Sequence, residues 1–319
     1  MKPGNVSAVF HEGECAVQAR IGVQARLEEV GPRVIRDYMP EQHRTFFMQL
    51  PFVIVGSVEA SGQPWASVLA NPPGFIQSTD PHSLNIFASP QRFDPLHKTL
   101  IAGARVGLLG IEPHSRRRNR MNGLVSSVND AGFVVQVNQS FGNCPKYIQA
   151  RKPEYVAHNA LVEKAVYQSN QLDEAARKLI LGADTFFIAT AYPSGSESKN
   201  NAHGVDVSHR GGKPGFVRVD DSVTLTAPDF SGNLFFNTIG NLTVNPRAGL
   251  LFIDFESGDL LYLAVEAQVI WEGAEVELYE GAERLLRFHL IEMKRVTAGL
   301  PMRWSAAELS PVLAQIGSW

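Results

Sequence analysis

Apolar residues in this chain gather in many short runs rather than in long helical stripes. Runs at 52–58, 65–70, 84–88, 105–111 and 133–137 in the first half are rich in Val, Ile, Leu and Phe and bounded by Gly, Pro, Asn or Asp. Similar runs fill 186–191, 204–208, 216–219, 223–226, 248–254 and 260–270 in the second. Short β-branched and aromatic runs between turn residues predict strands, and this many of them predict an antiparallel barrel or sandwich. Helical periodicity is confined to about 16–30, 41–50, 145–151, 171–182 and 233–244, the last stopping before Asn245-Pro246, where the residue preceding Pro leaves the helical region.

The pattern repeats. EQHRTFFMQLPFVIVGSVEASGQPWASVLANPPGF (41–75) and EAARKLILGADTFFIATAYPSGSESKNNAHGVDVSHRGGKPGF (174–216) share an order: helix, strand, Ser-Gly turn, second strand, Pro-Gly-Phe. LNIFASPQ (84–91) then faces VTLTAPDF (223–230), and ARVGLLGIE (104–112) faces PRAGLLFID (246–254). Two homologous halves explain this. The second half is longer by eight residues between Ser194-Gly195 and Pro214-Gly215-Phe216, compared with Ser61-Gly62 and Pro73-Gly74-Phe75, an insertion that a surface hairpin tolerates. The polar stretch 151–172 is the natural linker between the halves, and 305–319 is expected to be a loosely held tail.

A length of 319 residues, with 44% hydrophobic and 19% charged, suits two globular units. The net charge of −3, from 29 Lys+Arg against 32 Asp+Glu, gives no global pull toward nucleic acid or membrane. Neither is expected as a partner. The N-terminal stretch has no basic region followed by a long apolar run, which points to a cytoplasmic protein. Cys15 and Cys144 are too few for a disulfide framework or zinc cluster. His11, Glu12, Glu14 and Cys15 offer metal-ligand types, but in one short stretch with no second pair downstream, so no metal is expected. Neither GxGxxG, Walker, GxSxG nor HExxH occurs.

The strings VDVSHRGGKPGFVRV, TLTAPDFSGN and NLTVNPRAGLLFI resemble the split-barrel flavoproteins related to pyridoxamine 5′-phosphate oxidase. QLPFVIVGSVEASGQPWAS, LLGIEPHSRRRNRMNG and VNQSFGNCPKYIQAR resemble its flavin-nucleotide-binding subgroup. The resemblance spans about residues 8–304. It implies a mainly β, α+β architecture of two tandem split barrels of the FMN-binding type. An N-terminal helical arm and the first barrel then occupy 1–150, and the second barrel with its tail 151–319. It implies FMN at a seam between barrels, supplied by two chains of a homodimer or by two halves of one chain. Carried over by position, the cofactor-binding candidates in the second half are Asp206, Ser208, Arg210, Gly211, Thr226, Asn233 and Asn237. In the first half they are Ser67, Ser89, Gln91, Arg92, Lys98 and Arg118. The oxidase's Arg-Lys pair at its helix start has no clean match: the first half keeps His97-Lys98, and the second offers Asn and Thr. No counterpart of the oxidase's substrate-phosphate residues is visible, so pyridoxamine phosphate is not implied.

Each candidate has a plainer reading. SHRGGKPG (208–215) is either a tight hairpin or a hairpin whose Arg210 and Gly N–H groups meet a phosphate. In Arg116–Arg120, alternation puts Arg116, Arg118 and Arg120 on one face and Arg117 on the other. One set then meets the flavin, or the run is a solvated face. Cys144 is either a buried structural thiol or a redox thiol at a helix start. Trp304 covers a flavin edge or closes a core. The expected function is that of an FMN-dependent oxidoreductase or electron-transfer module, reduced by NAD(P)H or an electron-transfer reductase. The alternative is a non-catalytic flavin or haem carrier.

Overall fold

A computed structural model describes residues 9–156, 164–193, 198 and 200–319. The repeat becomes a seven-stranded and an eight-stranded antiparallel sheet, whose seven equivalent strands follow the same order. The first contains β1 (Phe52–Val58), β2 (Pro64–Ala70), β3 (Ile76–Gln77), β4 (Ser83–Ile86), β5 (Arg105–Glu112), β6 (Arg117–Asn129) and β7 (Gly132–Gly142), in the order β2-β1-β5-β6-β7-β4-β3. Next come β8 (Pro153–Tyr155) and β9 (Val166–Ser169). The second sheet follows with β10 (Thr185–Ala191), β11 (Val205–Gly211), β12 (Arg218–Val219), β13 (Thr224–Asp229), β14 (Arg247–Ile253), β15 (Leu260–Ile270) and β16 (Arg284–Val296), in the order β11-β10-β14-β15-β16-β13-β12. Strand β9 adds to β16, and β17 (Met302–Trp304) pairs β8. The helices are α1 (Glu12–Arg20), α2 (Gln24–Val34), α3 (Glu41–Met48), α4 (Leu96–Thr99), α5 (Glu174–Gly182), α6 (Asn237–Val244) and α7 (Ala274–Glu277). The chain is mainly β with flanking helices, two split barrels in tandem.

Uninterrupted apolar runs, where a half-exposed sheet would alternate, have a direct cause. On β1, Val53 and Val55 fill the first barrel while Phe52 and Ile54 turn outward; on β10, Phe186 and Ile188 fill the second while Phe187 and Ala189 turn outward. The outward sets meet in one seam core with Trp65, Val207, Leu251 and Tyr262. Successive residues point to opposite faces, and here both faces are buried. The seam is tight at two equivalent glycines. A Cβ on Gly107 would lie 2.4 Å from the Val205 carbonyl oxygen, and one on Gly249 would lie 2.3 Å from that of Pro64.

Several sequence expectations change. The helix expected over 16–30 is two helices, because Gly22 adopts φ +74° between them. No helix forms at 145–151: Tyr147 is left-handed at φ +64° and stacks on Phe230, with centroids 5.0 Å apart. Here Gln149 bonds the Gly212 carbonyl at 3.2 Å and accepts from the Ser310 N–H at 2.7 Å, so tertiary partners replace helical ones. The strands flanking SHRGGKPG do not form a hairpin with each other, since β11 and β12 end opposite edges of the sheet. Pro214-Gly215 carries the chain across, with Gly215 at φ +84°, as Gly74 does at φ +97° in the first barrel. The stretch 151–172 holds two short paired strands, with 157–163 outside the described residues; most of the Ser194-Gly195 turn region is outside them too. The tail is docked: Leu313 and Ile316 are buried, and the Trp319 indole N–H bonds the Phe216 carbonyl at 2.9 Å.

Candidate functional site

Strand β6 of the first barrel lies against the second barrel, and alternation sends Arg118 and Arg120 to the same side. They line a cleft of about 90 Å³ with Asn143 and Cys144 from the first barrel, and Ser208, His209, Arg210, Asp229, Asn233, Asn237 and Thr238 from the second. A small side chamber of about 50 Å³ continues past Lys146, Tyr147 and Gly211. The other arginines of the run are used elsewhere. Arg116 is left-handed at φ +53° and pairs with Glu308 at 2.9 Å, while Arg117 covers the Phe46 ring at 5.0 Å.

Behind the cleft a polar network is fully buried. Arg120, 4% exposed, pairs with Asp206 at 2.8 Å, donates to Asn237 at 3.0 Å and also reaches Ser208. Asp206 further accepts from Asn122 at 2.8 Å and Asn241 at 3.2 Å, and Thr238 donates to Ser208 at 3.0 Å. From the N-terminal arm, Glu14 accepts from Asn237 and from the His11 N–H at 2.8 Å, closing a capping box at the start of α1. Burial, with Asp206 nearby, pushes the Glu14 carboxyl well above its ordinary range. Thus Asp206, Ser208 and Asn237 are held by protein partners, and they set the position of Arg120.

Charge in the cleft does not balance. Arg120 has Asp206, Arg210 has Asp229, and Arg284 has Glu283 and Asp229. Among the described residues Arg118 has no carboxylate: its Nε donates to the Cys144 carbonyl at 2.8 Å and its Nη1 to that of His209 at 3.2 Å. Burial and the adjacent Arg120 and Arg210 push Arg118 down to about 10, so it remains charged at neutral pH. Burial and the cations Arg118, Arg210 and Arg151 push His209 well below its usual value, leaving a neutral imidazole. Three buried donors of residues that line the cleft, Arg120 Nε, Arg210 Nε and Asn143 Nδ2, have no acceptor among the described residues. Unpaired buried donors beside surplus positive charge suit an acceptor-rich anion, because charge-assisted bonds to such a group are the strong ones.

The sequence candidates therefore separate. Arg118, Ser208, Arg210, Asn233 and Asn237 line the main cleft, Gly211 lines the side chamber, and Asp206 lies behind. Thr226 lies away from it, donating to Asp220 at 2.5 Å. Ser67 is buried and donates to Asp94 at 2.5 Å. Ser89, Gln91, Arg92 and Lys98 are exposed, and Lys98 borders a different, wider opening. Trp304 packs edge-on against Phe52 and Phe255 in the seam core, with centroids at 5.6 and 5.1 Å. No His/Cys/Asp/Glu group that could hold a metal occurs among the described residues. Asn143, His209 and Thr238 were not visible as candidates in the sequence. Only the adjacency of His209 to Arg210 hinted at one of them.

Residues 39–168 match the family model of pyridoxamine 5′-phosphate oxidase. No curated protein matches the chain by sequence. Among solved structures, it is similar to HupZ of Group A Streptococcus, at 16% identity over 37% of this chain and 89% of that chain, with TM-score 0.29. It is also similar to an FAD-binding protein of Mesorhizobium loti, at 11% identity over 42% of this chain and 99% of that chain, with TM-score 0.29. No helix of the described residues is long and apolar enough to cross a membrane.

Proposed function

Given that the chain belongs to the pyridoxamine 5′-phosphate oxidase-related split-barrel family, a membership carried by residues 39–168, we propose that it is an FMN-dependent redox protein whose flavin phosphate sits in the arginine cleft between its two barrels. The observation that carries this reading is Arg118, a largely desolvated guanidinium with no carboxylate, contributed by one barrel to a cleft walled by the other. Asp206 and Asn237 hold Arg120, Asp229 holds Arg210, and the His209 carbonyl holds Arg118. Fixing the donors before the ligand arrives reduces the ordering cost of binding. A volume of about 90 Å³ holds roughly six to nine waters, since one water needs roughly 10–15 Å³ by the same measure, which is room for a phosphoryl group and its surroundings but not for the whole of FMN. The flavin ring belongs outside it.

When bound, FMN supplies the hydride and electron chemistry, and the protein contributes binding, orientation and electrostatics. Neutral His209 adds no further positive charge to the cleft, which leaves the arginines to set its potential. The electron donor is NAD(P)H or a partner reductase. We place the division between the barrels near residues 150 and 151.

The test is a visible spectrum of the purified protein and of the supernatant after heat denaturation, followed by titration with FMN if no chromophore is present. Released flavin and NAD(P)H-dependent bleaching are expected. Bound flavin without reduction by any nicotinamide would favour a carrier, and a Soret band or no binding would refute the flavin reading.

A further inference from the structure

The two barrels are related position by position, which allows the arginine cleft to be compared with its mirror image. Strand registers equate Ser67 with Ser208, Leu69 with Arg210, Tyr262 with Arg120 and Leu260 with Arg118. Val55 opposes Ser67 as Ile188 opposes Ser208, and Leu109 opposes Arg120 as Leu251 opposes Tyr262. The helix starts follow the same register. Thr99 donates to Ser57 at 2.8 Å, and Asn241, at the equivalent place, donates to Thr190 at 3.1 Å. Counting back from that pair sets Asp94 opposite Phe236.

In the mirror pocket every cation of the cleft is lost. Leucines replace Arg118 and Arg210, and a tyrosine replaces Arg120. The Asp94 carboxyl fills the space between the equivalent elements. It accepts from Ser67 Oγ at 2.5 Å and the Leu96 N–H at 2.8 Å through Oδ1, and from the Tyr262 hydroxyl at 2.8 Å through Oδ2. Asp94 is 4% exposed, Ser67 and Tyr262 are wholly buried, and Lys294 approaches from the side. A serine hydroxyl, a backbone N–H and a second hydroxyl thus converge on two side-chain oxygens of the chain itself.

We infer that the chain is an internally fused dimer with one competent anion site, the Arg118–Arg120–Arg210 cleft, and that the symmetry-related second site is closed by the Asp94 carboxyl acting as a built-in substitute for a ligand's anionic group. The inference rests on the flavin reading for the identity of the ligand. It assigns the roles of the barrels: β6 of the first lends cations to a site walled by β11 and α6 of the second, and the reciprocal loan no longer works. Both walls of the competent site come from one chain, so binding needs no second copy.

Isothermal titration of the whole protein with FMN, with the subunit concentration fixed by amino-acid analysis, decides the matter. One FMN per chain is expected. Ser67→Ala and Tyr262→Phe should leave both the stoichiometry and the dissociation constant unchanged, and Arg118→Ala should weaken binding at least tenfold. Two FMN per chain would overturn the single-site inference and leave the flavin reading standing. So would binding that survives Arg118→Ala and fails in Ser67→Ala, and so would one FMN per two chains. No binding by the wild-type protein would remove the flavin reading, and this inference with it. The wild-type stoichiometry is decisive even if a buried variant fails to fold.

Discussion

Arg118 and Arg120 stand two residues apart on one strand and do different work. Arg120 is 4% exposed and its partner Asp206 is also buried, so Arg120→Ala leaves a buried carboxylate with less charge compensation. Such a loss costs about 3–5 kcal/mol, and urea unfolding should show it; a wild-type midpoint would mean that Asp206 finds other partners. Among the described residues Arg118 meets no carboxylate, only the Cys144 and His209 carbonyls and, at 3.5 Å, the His209 ring, so Arg118→Ala should leave the unfolding midpoint nearly unchanged. Its FMN affinity should fall by about 1.5–3 kcal/mol, the usual size of a lost charge-assisted bond. His209 gives a pH signature. Its folded value lies well below the ordinary 6.5 because burial and three arginines oppose the imidazolium. Below about pH 6.5 the unfolded chain therefore binds a proton that the folded chain refuses, and stability falls as pH drops through that window. His209→Gln should lose less stability between pH 7.5 and pH 5.5 than the wild type; equal losses would locate the acid sensitivity elsewhere.

At the scale of elements, the segment after β7 and the C-terminal tail are one structural unit with β11. Gly211 ends β11 where a Cβ would lie 2.0 Å from the Tyr147 carbonyl oxygen. Gly211→Ala must displace backbone, and overpacking of this kind costs about 1–3 kcal/mol; an unaltered melt would show that the 145–151 segment yields freely. The tail buries Leu313 and Ile316 and ties Ser310 to Gln149. Two buried aliphatic side chains contribute about 3–6 kcal/mol, so truncation after Trp304 should lower the denaturation midpoint clearly while the far-ultraviolet dichroism of the barrels persists. The sequence pattern missed this docking because 305–319 mixes polar and small residues around a few apolar ones. Its periodicity is too short to reveal a partner surface. For 145–151 the failure is similar: Pro145 and a polar run suit a helix start, yet Tyr147 gains a stacked ring and Gln149 two tertiary bonds.

At the scale of the whole molecule, the seam is a pseudo-two-fold contact in which Gly107 and Gly249 play equivalent parts. Alanine at either should destabilise by a similar amount, about 1–3 kcal/mol; strongly unequal losses by calorimetry would show that the two halves of the seam are not mechanically alike. The sequence by itself determined the duplication, the strand runs and the mainly β architecture, because strand formation and turn chemistry are local and are written twice. The doubly buried strands were already legible as unbroken apolar runs, and the shared face of Arg118 and Arg120 followed from alternation alone. Tertiary structure alone decided which cations lack a counter-charge. Arg92 and Lys98 look as good as Arg118 in the sequence but lie exposed, whereas Asp206, an unpromising phosphate ligand, proves to anchor Arg120. Likewise nothing near Ser67 in the chain foretells Asp94 or Tyr262. Desolvation and charge pairing depend on distances between residues tens to hundreds of positions apart, and those distances exist only after the barrels have met.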